Sequence, residues 1–423
     1  MPPIRPLAAA LAIVLVPALH SGPGEATSPD SAGFSTARLG RIDTALQGYV
    51  DRGEVAGVVG LLARHGRIAY HKSFGYRDRE SESPMSEDVI FRIASMTKPI
   101  ASVAAMMLWE EGRFQLRDPI SKFLPEFSRM EVALRVEPKD RARVPYTTVR
   151  ARNRITVQHL LTHTAGLANP YRGVTRELYN ELRASRAPGG TVADYVAELA
   201  KLPLNFEPGE RWEYGPATDA VGRLVEVLSG MTLDQFLRER IFEPLGMRDT
   251  YFYLPRSKLR RFAALYRPDG DGRAELQEKP DENSRWVREP HVYFSGAGGL
   301  VSTTSDYFRF HQMMLNGGEL EGVRILGPRT VRLMTVSHTA DRSVWLRGDG
   351  FGFGLGYSVT TDLGPSGMPS AEGTYGWGGA YCTVFWVDPT DQLIGILMAQ
   401  VRPYTHLNIR SDFQTLAYQA LVD

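Results

Sequence analysis

Strand-like segments at both ends of the chain, separated by a helical block, constrain the fold most. Two β-rich runs near the N-terminus are joined at His65-Gly66, which is a hairpin signal. Further β-rich runs follow residue 295, and helical periodicity dominates between them. The predicted strands are residues 58–63, 68–74, 351–359, 381–387 and 393–401. A sheet assembled from both ends must enclose the block, so we predict an α+β fold with an inserted, mainly helical subdomain.

Helices flank the predicted sheet at both ends. Leu39, Ile42, Leu46 and Tyr49 repeat at helical spacing, and residues 409–421 also have a helical pattern. The charged stretch 137–154 lacks periodicity and predicts an exposed loop. We place one domain at 27–423, with a sheet lobe at about 35–90 and 295–423 and a helical lobe at about 91–294.

The first 26 residues have the order of a secretory signal. Arg5 precedes an apolar run over residues 7–19, and small or turn-forming residues follow. Thirteen apolar residues are short for a bilayer anchor, which needs about 20. Cleavage fits after Ala18 or after Ala26. We expect export to a periplasm or the medium without a stable membrane anchor; the alternative is an apolar tail on a cytoplasmic protein.

Charge and cysteine content exclude several functions. Lys+Arg is 49 and Asp+Glu is 48, which argues against a whole-domain electrostatic footprint for nucleic acid but leaves a local basic patch open. Cys382 is the only cysteine, which rules out an internal disulfide or a Cys-ligated zinc site. His159 and His163 lie four residues apart, but the intervening Leu-Leu-Thr lacks the glutamate of a zinc hydrolase. We predict neither a metal nor an organic cofactor.

A Ser-x-x-Lys motif is the first candidate for chemistry. Ser95 and Lys98 lie one helical turn apart, so the hydroxyl and the amine share a face. Serine is a weak nucleophile until a neighbouring base takes its proton. An amine accepts that proton only when neutral, and burial favours the neutral form. The apolar residues around the motif predict such burial, although a surface lysine beside a serine is the simpler reading of four residues.

Two further segments fit the same chemistry. Tyr214 stands before a predicted helix, where its hydroxyl could relay protons. Trp377-Gly378-Gly379 enters a predicted strand, and paired glycines there predict close approach by a ligand or by packed neighbours. The backbone N–H of Ala380 could complete an oxyanion hole with that of Ser95.

The three segments, in this order, resemble the penicillin-recognising serine hydrolases. The resemblance spans about 38–420, and the chain is most similar to the class-C-lactamase-like esterases, the family VIII carboxylesterases. It implies a β-lactamase/transpeptidase-like fold, with Ser95 acylated and Lys98 and Tyr214 as shared base and proton relay. It also implies an oxyanion hole at Ser95 and Ala380, with Trp377, Gly378 and Gly379 near the substrate.

Two departures from the family pattern direct the choice of substrate. Pro216 replaces the asparagine of the second motif, and Trp377 replaces the lysine that anchors carboxylates in the third. An indole carries no charge, so we expect a small neutral ester as substrate, with Tyr381, Phe385 and Trp386 near its acyl group. Arg402 remains an alternative anchor for a carboxylate.

Three other functions remain open from the sequence. They are a D,D-peptidase or β-lactamase, an acyltransferase to a small alcohol, and a non-catalytic binding protein on the same scaffold. The oligomeric state, the signal cleavage point and the acyl length are not encoded in any pattern that we recognise.

Overall fold

Strands from the two ends of the chain pair with each other in the computed structural model, which describes residues 28–136, 146–187 and 189–422. The strands are β1 (Gly57–Arg64), β2 (Arg67–Asp78), β3 (Ser83–Pro84), β4 (Phe91–Arg92), β5 (Glu131–Arg135), β6 (Tyr146–Arg150), β7 (Leu265–Pro268), β8 (Ala274–Glu278), β9 (Val301–Ser302), β10 (Glu319–Leu320), β11 (Val323–Arg324), β12 (Phe351–Phe353), β13 (Ser358–Thr360), β14 (Tyr375–Gly379), β15 (Thr383–Asp388) and β16 (Leu393–Ala399). Within the described residues, eight of these strands form one antiparallel sheet, in the order β12-β13-β14-β15-β16-β1-β2-β3.

The pairing of β1 with β16 joins the two ends of the chain. Its register runs from Val58 opposite Ala399 to Arg64 opposite Leu393. Both strands are buried along their whole length, as expected for strands covered on both faces. Because side chains alternate along a strand, residues 59, 61 and 63 enter one hydrophobic core and residues 58 and 62 enter the other.

Helices cover both faces of the sheet. α1 (Thr36–Asp51) and α11 (Ile409–Gln419) pack against each other on one face, and α8 (Thr304–Leu315) covers the other. The predicted α+β class with flanking terminal helices is therefore confirmed. The helices are α1 (Thr36–Asp51), α2 (Thr97–Glu110), α3 (Val157–Leu161), α4 (Arg176–Ala184), α5 (Val192–Leu199), α6 (Ala217–Ser229), α7 (Leu233–Leu237), α8 (Thr304–Leu315), α9 (Pro328–Met334), α10 (Leu363–Ser366) and α11 (Ile409–Gln419).

The helical block between the two halves of the sheet contains α2 to α7. α2 is buried from Thr97 to Leu108 and packs against α6. This packing fixes the start of α2, which follows Ser95, relative to the segment before α6, which carries Tyr214. Among the described residues, no helix combines the length and apolar character that a membrane span requires.

Several local predictions need correction. The stretch 137–154 is not a loop throughout: residues 137–145 lie outside the described residues, but β6 pairs with β5. The segment 351–359 is two strands, because the chain reverses at Gly354 and Gly356 before β13. The hairpin at His65-Gly66 is confirmed, and both residues have the positive φ that such a turn needs. The predicted signal segment also lies outside the described residues.

Candidate active site

Ser95 lies in a single helical turn, Ala94–Met96, immediately before α2. The residue before it, Ala94, has a φ of 44°, a left-handed conformation that costs an L-residue energy. The surroundings hold this turn in place, because the hydroxyl of Tyr307 donates to the carbonyl of Met96 at 2.8 Å. The Ile93 N–H donates to the Leu300 carbonyl at 3.1 Å. The hydroxyl of Ser95 is thus presented by a strained but well-supported turn.

Lys98 lies in the first turn of α2 and is 3% exposed. Its Nζ donates to Ser95 Oγ at 3.2 Å and to the carbonyl oxygen of Ala297 at 2.7 Å. The amine has no ion-pair partner within the described part of the chain. The amine is therefore held against the serine by a backbone carbonyl instead of a carboxylate.

Tyr214 completes a group of three side chains around the serine hydroxyl. Its Oη donates to Ser95 Oγ at 2.7 Å, and Lys98 Nζ lies 4.6 Å from the centre of its ring. Aromatic rings support the phenol from behind: the ring centroids of His163 and Trp377 lie 5.1 and 5.4 Å from that of Tyr214. The structure thus brings Ser95, Lys98 and Tyr214, three residues singled out from the sequence, into direct contact.

Asp219 is a supporting residue that the sequence analysis missed. It lies in the first turn of α6, and its Oδ1 accepts from Ser295 Oγ at 2.6 Å and from the Ala297 N–H at 3.1 Å. Ala297 is the residue whose carbonyl accepts from Lys98. Burial raises the pKa of Asp219 above its usual value, and these two hydrogen bonds oppose the rise. Asp219 therefore positions Lys98 through a loop that is distant in sequence, and no local pattern signals such a role.

His163 is buried behind Tyr214, with a φ of 56°. Burial, and then the charge of Lys98, hold the pKa of His163 well below its usual value. His159 is used locally, because its Nδ1 accepts from the Thr156 N–H at the start of α3. Within the described residues, no group of three or more His, Cys, Asp or Glu side chains could hold a metal ion.

Ala380 follows β14 and lines the cavity beside Ser95. Its N–H makes no hydrogen bond within the described residues, so it is available to a ligand. The end of β14 packs against the turn that carries Ser95. The two predicted oxyanion donors are thus carried by neighbouring segments.

Trp377, Gly378 and Gly379 do not line the cavity. A side chain at Gly378 would overlap the guanidinium of Arg410, and one at Gly379 would overlap the carbonyl of Ile93. The close approach that these glycines predict is therefore made by the protein itself. Trp377 instead supports the ring of Tyr214.

The wider pocket also differs from expectation. Tyr381 lines it, but the other two aromatic residues predicted near the acyl group do not. Phe385 stacks on His311 with ring centroids 4.0 Å apart, and Trp386 packs against Phe413 of α11. Phe385 belongs to one hydrophobic core of the sheet and Trp386 to the other.

The cavity has a volume of about 370 Å³ and is rich in tyrosine and arginine. Among the residues that the structure describes, one carboxyl group, that of Asp219, lines the cavity. The lining tyrosines and arginines are Tyr171, Tyr179, Tyr195, Tyr214, Tyr253, Tyr293, Tyr381, Arg183, Arg186, Arg285 and Arg402.

Comparison with known proteins identifies the class. A family model described as Beta-lactamase matches residues 42–419. Protein Rv1367c of Mycobacterium tuberculosis is 36% identical over 375 residues, which cover 84% of this chain and 88% of that protein. Esterase EstB of Burkholderia gladioli is 32% identical over 389 residues, which cover 86% and 91%. The chain therefore belongs to the β-lactamase family of serine hydrolases, and the resemblance seen in the sequence is confirmed.

A solved structure agrees with this assignment. EstCE1, described as a hydrolase with promiscuous acyltransferase activity, superimposes with a TM-score of 0.75 at 27% identity. The match covers 92% of this chain and 99% of EstCE1. The β-lactamase-like fold predicted from the sequence is confirmed.

Proposed function

We propose that this protein is an exported serine esterase that works through an acyl-enzyme at Ser95. One observation carries the proposal: Lys98 Nζ and Tyr214 Oη both contact Ser95 Oγ, at 3.2 and 2.7 Å, at the wall of a cavity large enough for a small ester. Two amphoteric groups on one hydroxyl provide both a base to remove its proton and a route to return it.

In the acylation step, Ser95 Oγ attacks the ester carbonyl while Lys98 accepts its proton directly or through Tyr214. The N–H groups of Ser95 and Ala380 stabilise the oxyanion, at about 3–4 kcal/mol per donor in comparable sites. Tyr214, whose hydroxyl already donates toward Oγ, then protonates the alcohol as it leaves, and Tyr214 regains a proton from Lys98 if Lys98 took the serine proton directly. A water molecule releases the acyl group by the same steps in reverse order.

Two considerations favour esters over β-lactams or D-alanyl peptides. The lysine of the third motif is absent, and Trp377 in its place is buried behind Tyr214. Esterase EstB, which is 32% identical to this chain over 86% of the chain's length, supports the same choice. Acyl transfer to a small alcohol is the second candidate, supported by the described activity of EstCE1.

Export is proposed from the sequence of residues 1–26 alone. N-terminal sequencing of protein from the periplasm and the medium tests it. A mature N-terminus after Ala18 or Ala26 is expected, whereas intact protein confined to the cytoplasm contradicts export.

Hydrolysis of p-nitrophenyl butyrate tests the catalytic proposal. We expect Ser95→Ala to lower kcat/KM by at least about 10³-fold, because the nucleophile is lost. Ser81→Ala, a change at an exposed serine paired with Ser83, is the matched control. A fluorophosphonate should label the wild-type protein at Ser95; equal rates for the two variants would show that another residue is acylated.

A further inference from the structure

Four arginines surround the cavity without carboxylate partners. Arg183, Arg186, Arg285 and Arg402 line it, and none makes an ion pair within the described residues. Within the described chain, the one carboxyl in the lining, that of Asp219, is buried and already accepts two hydrogen bonds. The chain as a whole is nearly balanced, with 49 basic and 48 acidic residues. The positive charge is therefore local to the cavity.

Two of these arginines converge on one residue of the cavity wall. Arg285 Nη2 donates to Tyr381 Oη at 3.2 Å, and the guanidinium of Arg402 lies 5.6 Å from the centre of the Tyr381 ring. Arg285 also stacks on Trp286, at 3.9 Å from its ring. Stacking leaves the edge of a guanidinium free for hydrogen bonds. Both arginines line the same cavity as Ser95.

An unpaired guanidinium pair beside a reactive serine favours one class of ligand. Arginine binds carboxylates through two parallel hydrogen bonds. A cavity of one charge sign also raises the local concentration of oppositely charged substrate. Both guanidinium groups are exposed, and no acidic side chain of the described chain pairs with them, so a carboxylate on the substrate is the partner that this charge favours.

We propose that the substrate is an ester that carries a carboxylate, which Arg285 and Arg402 bind beside Tyr381. This inference rests on the proposed esterase function and specifies its substrate class, for example half esters of dicarboxylic acids. It replaces the preference for neutral esters expected from the missing third-motif lysine. The two arginines come from segments outside the third motif that lie far apart in the sequence.

Matched pairs of esters test the proposal by kinetics. One pair is p-nitrophenyl hydrogen suberate and its methyl ester, with the charge on the acyl side. The other is p-acetoxybenzoate and its methyl ester, with the charge on the leaving group. In at least one pair, we expect kcat/KM to be about tenfold or more higher for the charged ester. Arg285→Gln/Arg402→Gln should lower that ratio by about tenfold.

Arg329→Gln/Arg332→Gln is the matched control, because it removes the same net charge from exposed positions on α9, away from the cavity. The charged-to-neutral ratio should stay at the wild-type value in this control. No preference for the charged ester in either pair, or a ratio that the Arg285/Arg402 variant leaves unchanged, overturns the inference. Ser95-dependent hydrolysis of the neutral esters would leave the esterase function intact in that case.

A binding measurement separates this inference from the chemistry. In Ser95→Ala, calorimetry should show monomethyl suberate binding at least about tenfold more tightly than dimethyl suberate. The preference should disappear when Arg285→Gln and Arg402→Gln are added. Failure of all esters to be hydrolysed would refute the esterase proposal, whereas equal binding of the two ligands would refute the charge preference.

Discussion

The two walls of the cavity contribute in different ways. The wall from the helical block presents side chains: Ser95, Lys98 and Tyr214 contact one another directly. The wall from β14 presents backbone at Ala380, while Trp377 supports the site from behind. Side-chain chemistry leaves a pattern in the sequence, but a backbone N–H can be supplied by almost any residue. The helical wall should therefore be sensitive to single substitutions and the strand wall tolerant of them.

Removing the amine should have the largest effect. We expect Lys98→Ala to lower kcat/KM for p-nitrophenyl butyrate by about 10³-fold, because Ser95 loses its base. The control is Lys201→Ala, which removes an exposed lysine paired with Glu198. A rate within tenfold of wild type would mean that the helical wall does not provide the base.

Removing one oxygen should have the next largest effect. Tyr214→Phe keeps the ring against Trp377 but removes the hydroxyl that donates to Ser95. We expect kcat/KM to fall about 10²-fold, with little change in thermal stability. Tyr76→Phe, at an exposed tyrosine, is the control. An unchanged rate would leave Tyr214 as a packing residue only.

Two substitutions at Asp219 distinguish its role in placing Ala297 and Lys98 from the effect of its carboxylate charge. Both of its hydrogen bonds reach a single oxygen, Oδ1, which an asparagine amide can replace. We therefore expect Asp219→Asn to retain most of the activity and Asp219→Ala to lose about tenfold. Equal losses in the two variants would show that the charge, not the placement of Ala297 and Lys98, is what matters.

The strand wall should respond in stability more than in rate. Trp377 is 5% exposed and contacts Tyr214 and Phe353. We expect Trp377→Phe to reduce the free energy of unfolding by about 1–3 kcal/mol, while kcat/KM stays within about threefold of wild type. A loss as large as that of Tyr214→Phe would remove the distinction between the walls.

Buried histidines make the free energy of unfolding depend on pH, which is the smallest effect predicted. His163 lies behind the helical wall and His311 behind β15, and burial lowers the pKa of both well below the usual value. Below pH 6.5 the unfolded chain binds protons that the folded chain does not, so stability falls as pH falls. Each histidine contributes about 1.4 kcal/mol per pH unit in that range.

Unfolding by urea at pH 8, 6 and 5 measures this dependence. His311→Phe should weaken it, because it removes one titrating group from a purely aromatic environment beside Phe385. The same dependence in the variant and the wild type would show that other groups govern the acid sensitivity.

The sequence predicts the side chains of the helical wall better than the contacts that depend on the tertiary fold. Ser95 and Lys98 are one helical turn apart, so spacing alone places them together. The order of the family motifs adds Tyr214. Asp219 and Ala297 meet across about 80 residues. Arg285 and Arg402, more than 100 residues apart, both reach Tyr381. Such pairs depend on the tertiary fold, which no local period encodes. The pairing of β5 with β6 was missed because neither strand has an alternating apolar face: β5 buries two adjacent residues, Val132 and Ala133, and β6 is mostly exposed.

The pairing of β1 with β16 has a consequence for the order of events during translation. At ribosomal speeds of about 5–20 residues per second, β1 leaves the ribosome on the order of half a minute before its partner strand exists. Ser95, Lys98 and Tyr214 are all translated before β14 and before Ala380, the proposed second oxyanion donor. The cavity of the nascent chain therefore lacks its strand wall until about the last tenth of the sequence has been translated.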